Sequence, residues 1–368
     1  MSQICLVCVS LRAGGTERVV SRIANHLCQQ HEVTLLLLSN SEPFYALKTK
    51  IRLMRPELSR RSQAGWRWYP LILSHLHRGF SVTRPDLVLC FGEPIAPVVL
   101  PMARFSNCSV LVFNRASPLT SLKGHRGLLN PLTYPLAERV VVQTQRAMEI
   151  MKRRYRLSTF DIMPNPIDVP LQVSPIDQRE KRIINVGTLG GKKNQQALIR
   201  AFSQIDQRAG WSLHLVGDGP DRTMLEQLVD ELKLAESVQF HGQCADVDSL
   251  LQDARIFAFS SLTEGFPNAL AEAMAAGCAC ISFDCPTGPS ELIQDNISGL
   301  LVKNADQSEF DHALDRLVSD HDLQRRLANG ARKRICQFST DKVFKKLDRL
   351  IDQVLLHDSQ TSEHSCDS

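Results

Sequence analysis

Two carboxylates eight positions apart, Glu264 and Glu272, are the most chemically pointed pair in this chain of 368 residues. They lie in the run Ser261-Leu262-Thr263-Glu264-Gly265-Phe266-Pro267-Asn268-Ala269-Leu270-Ala271-Glu272-Ala273-Met274. Pro267 suits the first turn of a helix, because the amide it lacks would have no partner there anyway. Glu272 then falls among Ala271, Ala273, Ala275 and Ala276, on a helix otherwise made for close packing. A carboxylate in such surroundings requires hydrogen-bond donors, and ribose or sugar hydroxyls serve well. Gly265, Phe266, Pro267 and Asn268 crown the start of that helix, where unpaired amides and the helix dipole favour a diphosphate.

A second loop complements the first. In Asn185-Val186-Gly187-Thr188-Leu189-Gly190-Gly191-Lys192-Lys193-Asn194 a glycine-rich turn leads two lysines to a helix start. Lysine there can reach a diphosphate and offset charge that builds on a leaving group, although a solvated lysine is the plain alternative. Ser10-Leu11-Arg12-Ala13-Gly14-Gly15-Thr16-Glu17-Arg18 offers Gly14 and Gly15 for close backbone approach to a phosphate, or simply a tight turn. Gly217-Asp218-Gly219-Pro220 and His241-Gly242 end two apolar runs at places where a base could be read. In Cys285-Pro286-Thr287-Gly288-Pro289-Ser290-Glu291, Thr287 or Ser290 can cap a short helix. Neither glycine turn has the dinucleotide spacing, and no Walker lysine follows the first.

Such loops need strands to hold them. Short β-rich runs at 4–10, 32–39, 87–92, 109–114, 139–144 and 161–163 alternate with helical patterns at 17–29, 68–80 and 145–154. A second series follows, with strands at 182–187, 212–217, 238–242, 256–260, 278–283 and 299–302 and helices at 194–208, 221–233, 247–253 and 267–276. This is an α/β pattern of two doubly wound, Rossmann-like units, in which ligands lie beyond the carboxyl ends of the strands. Every chemical loop above follows a strand. Pro164, Pro166, Pro170 and Pro175 place the joint, giving a first domain at 1–168, a linker at 169–180 and a second domain at 181–335. A C-terminal helix at 336–357 is expected to pack back on the first domain, and 358–368 to be a disordered tail.

The net charge of +4 hides an asymmetry. Residues 1–180 carry 23 Lys/Arg against 12 Asp/Glu, whereas residues 181–368 carry 20 against 27. The basic half is expected to face something anionic. Residues 41–90 concentrate this, with Arg60, Arg61 and Arg67 interleaved with Trp66, Trp68 and Tyr69. Leu71, Ile72, Leu76 and Phe80 then read either as an interfacial membrane helix or as a core-facing one with a basic rim. No apolar stretch spans a bilayer, no signal peptide begins the chain, and the 11 scattered cysteines read as reduced core thiols. The expectation is a cytoplasmic protein, peripheral on the inner face of the membrane, with no nucleic-acid partner.

Residues 183–302 resemble the retaining GT-B glycosyltransferases of the glycosyl transferases group 1 family, of the type that builds bacterial polysaccharide and lipopolysaccharide. The resemblance rests on the Glu264/Glu272 pair, the loop from Gly187 to Lys193, and Gly217-Asp218-Gly219-Pro220, all in family order. Gly14-Gly15-Thr16-Glu17-Arg18 is similar to the family's Gly-Gly-x-Glu-Arg turn, which extends the likeness over nearly the whole chain. It implies a GT-B fold, two Rossmann-like domains facing across a cleft, and transfer of a hexose or N-acetylhexosamine from a UDP-sugar to a glycan acceptor, lipid-linked in this type. Donor binding is implied for Gly14, Gly15, Gly187, Thr188, Lys193, Gly217, His241, Gly242, Gly265, Phe266, Pro267, Asn268 and Glu272. Lys193 and Glu264 are the implied catalytic pair, and Arg18, Asn114 and Arg115 the acceptor side. No cofactor and no metal is implied, the UDP-sugar being a co-substrate.

Two departures stand out. Thr188 occupies a place where the family usually has arginine, so Arg115 or Arg12 is the candidate substitute on the diphosphate. Asn114-Arg115 stands where a histidine often meets the donor sugar. The rival readings are a non-catalytic nucleotide-sugar-binding module and an NAD-dependent oxidoreductase. The second of these lacks support because neither glycine-rich turn has the dinucleotide spacing with an acidic residue about 20 positions on.

Overall fold

The computed structural model describes residues 1–12, 14–56, 68–121, 125–155, 159–206, 208–244 and 246–364. The chain divides into two units, one of residues 1–165 with 341–368, the other of residues 166–340.

The first unit is built on seven parallel strands: β1 (Gln3–Cys8), β2 (Glu32–Leu37), β3 (Arg52–Met54), β4 (Leu87–Phe91), β5 (Ser109–Phe113), β6 (Arg139–Val142) and β7 (Phe160–Ile162). Their order is β3-β2-β1-β4-β5-β6-β7. Alternation along β1 shows why the sheet is covered on both faces. Ile4, Leu6 and Cys8 enter one buried cluster, and Cys5 and Val7 enter the other. The first cluster also takes Val343, Leu347, Leu350, Ile351 and Val354 from the C-terminal helix Thr340–His364. That helix therefore runs past 357, and the expected disordered tail is helical as far as His364.

The second unit repeats the plan with six parallel strands: β8 (Glu180–Val186), β9 (Ser212–Val216), β10 (Val238–Gly242), β11 (Ala254–Phe259), β12 (Ala279–Asp284) and β13 (Leu300–Lys303). Their order is β10-β9-β8-β11-β12-β13. In both sheets the order reverses beside the first strand, between β1 and β4 and between β8 and β11. At such a reversal adjacent loops diverge to opposite faces and leave room for a ligand.

Among the elements that escape the sequence pattern are the short strand β3 and the helices Ala96–Phe105, Pro118–Ser121 and His125–Thr133. The helix Trp68–Thr83 buries Ile72, Leu76 and Phe80 fully, which corrects the interfacial reading of that stripe, while Tyr69, Leu71 and Leu73 remain exposed. Arg60, Arg61, Trp66 and Arg67 lie outside the described residues, and the ring of Trp68 is likewise left undescribed. Most of the described cysteines are buried thiols, but Cys244 and Cys336 are exposed, against the expectation that all pack in cores. Among the described residues no helix is long and apolar enough to cross a membrane.

Candidate functional site

In the second unit the reversal between β8 and β11 brings together the two loops with the most chemistry. The loop after β8 is stitched to the loop after β11 through its own backbone. Leu262 donates its amide to the Lys192 carbonyl at 2.9 Å, and Ser260 donates its hydroxyl to the Lys193 carbonyl at 2.8 Å. Asn194, at φ 52°, then turns the chain into the helix Gln195–Ser203. Gln195, buried under the loop, donates to the Thr188 carbonyl at 3.1 Å. Fixed in this way, Lys193 places Nζ 2.6 Å from Glu264 Oε1 and 5.6 Å from the ring centre of Phe259. The side chains are 30% and 13% exposed, so the pair is sheltered yet open to a ligand.

Glu264 is held from behind as well. Thr287 donates its hydroxyl to the Glu264 carbonyl, so this threonine does not cap the helix Pro289–Leu292, whose cap position is Gly288. The spacing could not have shown this tie, because it joins loops after different strands. Half-buried Glu272 sits inside the helix Asn268–Ala276 among buried Leu270, Ala271, Ala273 and Met274. Pro267 is the cap residue of that helix and Asn268 its first residue; Gly265 precedes them and Phe266 is buried.

The carbonyl-end loops of β8 and β9 pack so closely that glycine is obligatory. A Cβ on Gly217, whose φ is +133°, would stand 2.0 Å from the Gly187 carbonyl oxygen. One on Gly219 would stand 2.2 Å from the Leu189 carbonyl oxygen. The Gly217 amide donates to the Gly242 carbonyl at 2.8 Å, which ties β10 into the same rim.

His241 is placed less simply. Its Nε2 lies 2.9 Å from Nδ1 of buried His214, whose other nitrogen faces the Ser212 hydroxyl at 3.1 Å. Burial first, and then Arg182 and His241, push the His214 pKa down to about 4. The His241 side chain thus has a partner on its own sheet. Thr188 is exposed at the rim.

In the first unit the helix Gly15–Leu27 opens directly after Gly14, whose carbonyl accepts from the Arg18 amide at 3.0 Å. The Tyr45 hydroxyl braces the turn by donating to the Gly14 carbonyl at 3.2 Å. Asn114 and Arg115 lie beyond β5 but point inward, at 3% and 9% exposure. Asn114 Nδ2 donates to Met151 Sδ at 3.2 Å. Arg115 Nη1 donates to Asn165 Oδ1 at 2.9 Å and to the Met163 carbonyl at 3.3 Å. Its guanidinium lies over Phe113, 5.1 Å from the ring centre, and burial lowers its pKa to about 10. Arg115 is therefore engaged within its own unit, a poor position from which to replace a phosphate-binding arginine. Sequence reasoning missed Glu93, a 5% exposed carboxylate just beyond β4. The one available signal was an acid lodged between two strongly apolar stretches.

Comparisons agree with this architecture. Residues 170–334 match the family Glycosyl transferases group 1, and residues 13–170 match Glycosyltransferase Family 4. The amylovoran biosynthesis glycosyltransferase AmsD of Erwinia amylovora is 26% identical over 348 residues, 92% of this chain and 96% of that one. An α-1,4-N-acetyl-D-galactosaminyltransferase of Campylobacter jejuni is 24% identical over 363 residues, 96% of this chain and 99% of that one. Its name places its acceptor saccharide on undecaprenol through a diphosphate. Among solved structures, Anabaena Alr3699/HepE in complex with UDP superposes with a TM-score of 0.77 at 18% identity, covering 95% of this chain and all of that one. The chain carries a Glycosyltransferase Family 4 domain followed by a Glycosyl transferases group 1 domain, and is a glycosyltransferase built on two Rossmann-like units.

Proposed function

We propose that the chain transfers a hexose or N-acetylhexosamine from a UDP-sugar to a lipid-linked glycan, with retention of anomeric configuration, during assembly of cell-surface polysaccharide or lipopolysaccharide. The observation that carries this reading is the Lys193–Glu264 pair at the strand-order reversal of the second unit. Lys193 neutralises the departing diphosphate, aided by the amides around Gly265 and Asn268. Glu264 holds a hydroxyl of the donor sugar, and Glu272 the ribose. Charge on the diphosphate grows as the glycosidic bond breaks, so a fixed cation there favours the transition state over the ground state. The leaving phosphate oxygen then takes the proton of the acceptor hydroxyl on the same face of the sugar, which preserves the anomeric configuration. On this reading the diphosphate charge falls to Lys193 and the loop amides, and no metal is assigned. UDP as the carrier is supported by the UDP complex of a protein with the same fold, and a lipid-linked acceptor by the Campylobacter relative.

The test is a panel of UDP-glucose, UDP-galactose, UDP-GlcNAc and UDP-GalNAc, incubated with an undecaprenyl-diphosphate-linked GalNAc disaccharide. The expected result is one productive donor whose product shows the donor's anomeric configuration by NMR. Inverted product would remove the front-face step. Binding without turnover would favour a nucleotide-sugar-binding module.

A lipid-linked acceptor makes docking on an anionic leaflet useful, and we assign it to the basic first unit, on the cytoplasmic face. Arg52, Arg78 and Arg84 are exposed there, as are Tyr69, Leu71 and Leu73. Each such cation near an anionic leaflet contributes about 1 kcal/mol, screened by salt. Sedimentation with vesicles containing phosphatidylglycerol, lost at high salt and absent with phosphatidylcholine alone, is the expected outcome. Indifference to anionic vesicles at low salt would remove the docking.

A further inference from the structure

Beyond four neighbouring strands of the first sheet lie buried polar residues linked by hydrogen bonds: the one beyond β4 meets a backbone amide beyond β5, and those beyond β5 and β6 converge on Asn165 beyond β7. Beyond β4, Glu93 Oε1 accepts from the Ala116 amide at 2.9 Å, with the Arg115 amide also turned to the carboxyl group. Beyond β5, Arg115 donates to Asn165 Oδ1 and to the Met163 carbonyl, both beyond β7. Beyond β6, Gln143 Nε2 donates to the same Asn165 oxygen at 3.0 Å. All four side chains are buried: Glu93 at 5%, Arg115 at 9%, Gln143 at 5% and Asn165 at 4%. A carboxylate and a guanidinium are costly to bury, and a chain that already has two apolar cores in this unit gains no packing from them. Their geometry serves another purpose. Glu93 takes the amides of Arg115 and Ala116, Arg115 anchors the segment 114–117 to the far strand, and Asn165 is the last residue before the chain enters the second unit.

We infer that Glu93 is a positioning residue for the acceptor loop after β5, acting through the Ala116 amide and Arg115. This rests on the reading that the first unit holds the acceptor. Burial pushes the Glu93 carboxyl up, and the amides and Arg115 oppose that shift without cancelling it. A glutamine at 93 offers a single acceptor oxygen and turns an NH2 donor towards the backbone amides, so the segment loses its fixed point while the second unit is untouched.

The experiment compares the full chain with Glu93→Gln by hydrogen exchange, UDP calorimetry and transfer to the undecaprenyl-diphosphate-linked disaccharide. The expected result is about tenfold faster exchange in peptides covering residues 114–117, a rise of about tenfold in acceptor KM, and UDP affinity within twofold of wild type. Should Glu93→Gln fail to fold, Asn165→Ala carries the same test from the other end of the chain of bonds. Unchanged exchange at 114–117 overturns the inference. Faster exchange with an unchanged acceptor KM overturns the acceptor reading instead, and leaves the bonded chain as architecture alone.

Discussion

Lys193 Nζ and Glu264 Oε1 stand 2.6 Å apart, so the cation proposed for the diphosphate is already neutralised by the carboxylate proposed for the sugar. UDP must therefore compete with Glu264 for the lysine. Glu264→Gln is expected to bind UDP several-fold more tightly by calorimetry, because one negative charge leaves the site. The same variant is expected to lose about two orders of magnitude in turnover, since its contact with the donor sugar is weakened. Weaker UDP binding in Glu264→Gln would show that the two groups cooperate on the nucleotide.

Lys193→Ala should lower kcat by roughly 100- to 1,000-fold while weakening UDP by less than tenfold, because the charge it meets grows during bond cleavage. Lys192→Ala should change either value by less than threefold: its side chain is exposed, and only its carbonyl ties the two loops. Steady-state kinetics of both variants decide the point, and equal losses would mean that the two lysines share the role.

Gly217→Ala is expected to destabilise the chain by about 3 kcal/mol or more and to abolish UDP binding, since the new Cβ would lie 2.0 Å from the Gly187 carbonyl oxygen. Gly210→Ala is the control. Its φ of +78° also disfavours alanine, though less than the +133° of Gly217, and the nearest neighbour is the side chain of Lys181 at 3.8 Å, so a loss of about 1 kcal/mol is expected. Urea midpoints for the two variants check this difference, and equal losses would show that the close approach of the loops costs little.

The His214–His241 pair makes stability depend on pH. Burial holds His214 below its free value of 6.5, near 4, so its contribution is complete above about pH 6.5 and is lost as pH falls towards 4. The groups around the pair do not supply a counter-ion: Arg182 repels the proton, Ser212 is neutral, and Asp253 and Glu180 are drawn to Arg182. Wild type should lose on the order of 2 kcal/mol from this source between pH 7 and pH 5, and His214→Gln should show a flatter profile. Parallel profiles would place the acid sensitivity elsewhere.

Much of this was readable from spacing. The alternation of β1, the turns ending in Gly187, Gly217 and Gly242, and the Glu264-to-Glu272 stretch all declare themselves locally, because strand period and helix start are properties of neighbours in sequence. The helix Ala96–Phe105 was hidden by its own prolines. Pro97 falls in the first turn, where proline is tolerated, and Pro101 lies within the helix, where it is not expected. The interfacial reading of Ile72, Leu76 and Phe80 failed because a stripe of that period fits a lipid surface and a protein core equally well. Glu93 and the Thr287 tie to Glu264 were out of reach for a different reason. Each joins loops that are 23 residues apart in sequence and adjacent only because parallel strands carry their loops to one edge.

The return of the C-terminal helix to the first sheet has a consequence for how the molecule is made. Val343, Leu347, Leu350, Ile351 and Val354 complete an apolar cluster that begins with Ile4 and Leu6. On a ribosome the first unit is started first and closed last, with the whole second unit synthesised in between. Until the final turns emerge, one face of the nascent first sheet offers its apolar residues to whatever is nearby. In modular terms residues 166–340 are a cassette inserted into a host domain. Exchange of the second unit between relatives is therefore a cut at two joints, and a chimera joined only at the first would carry the wrong helix into the host's core.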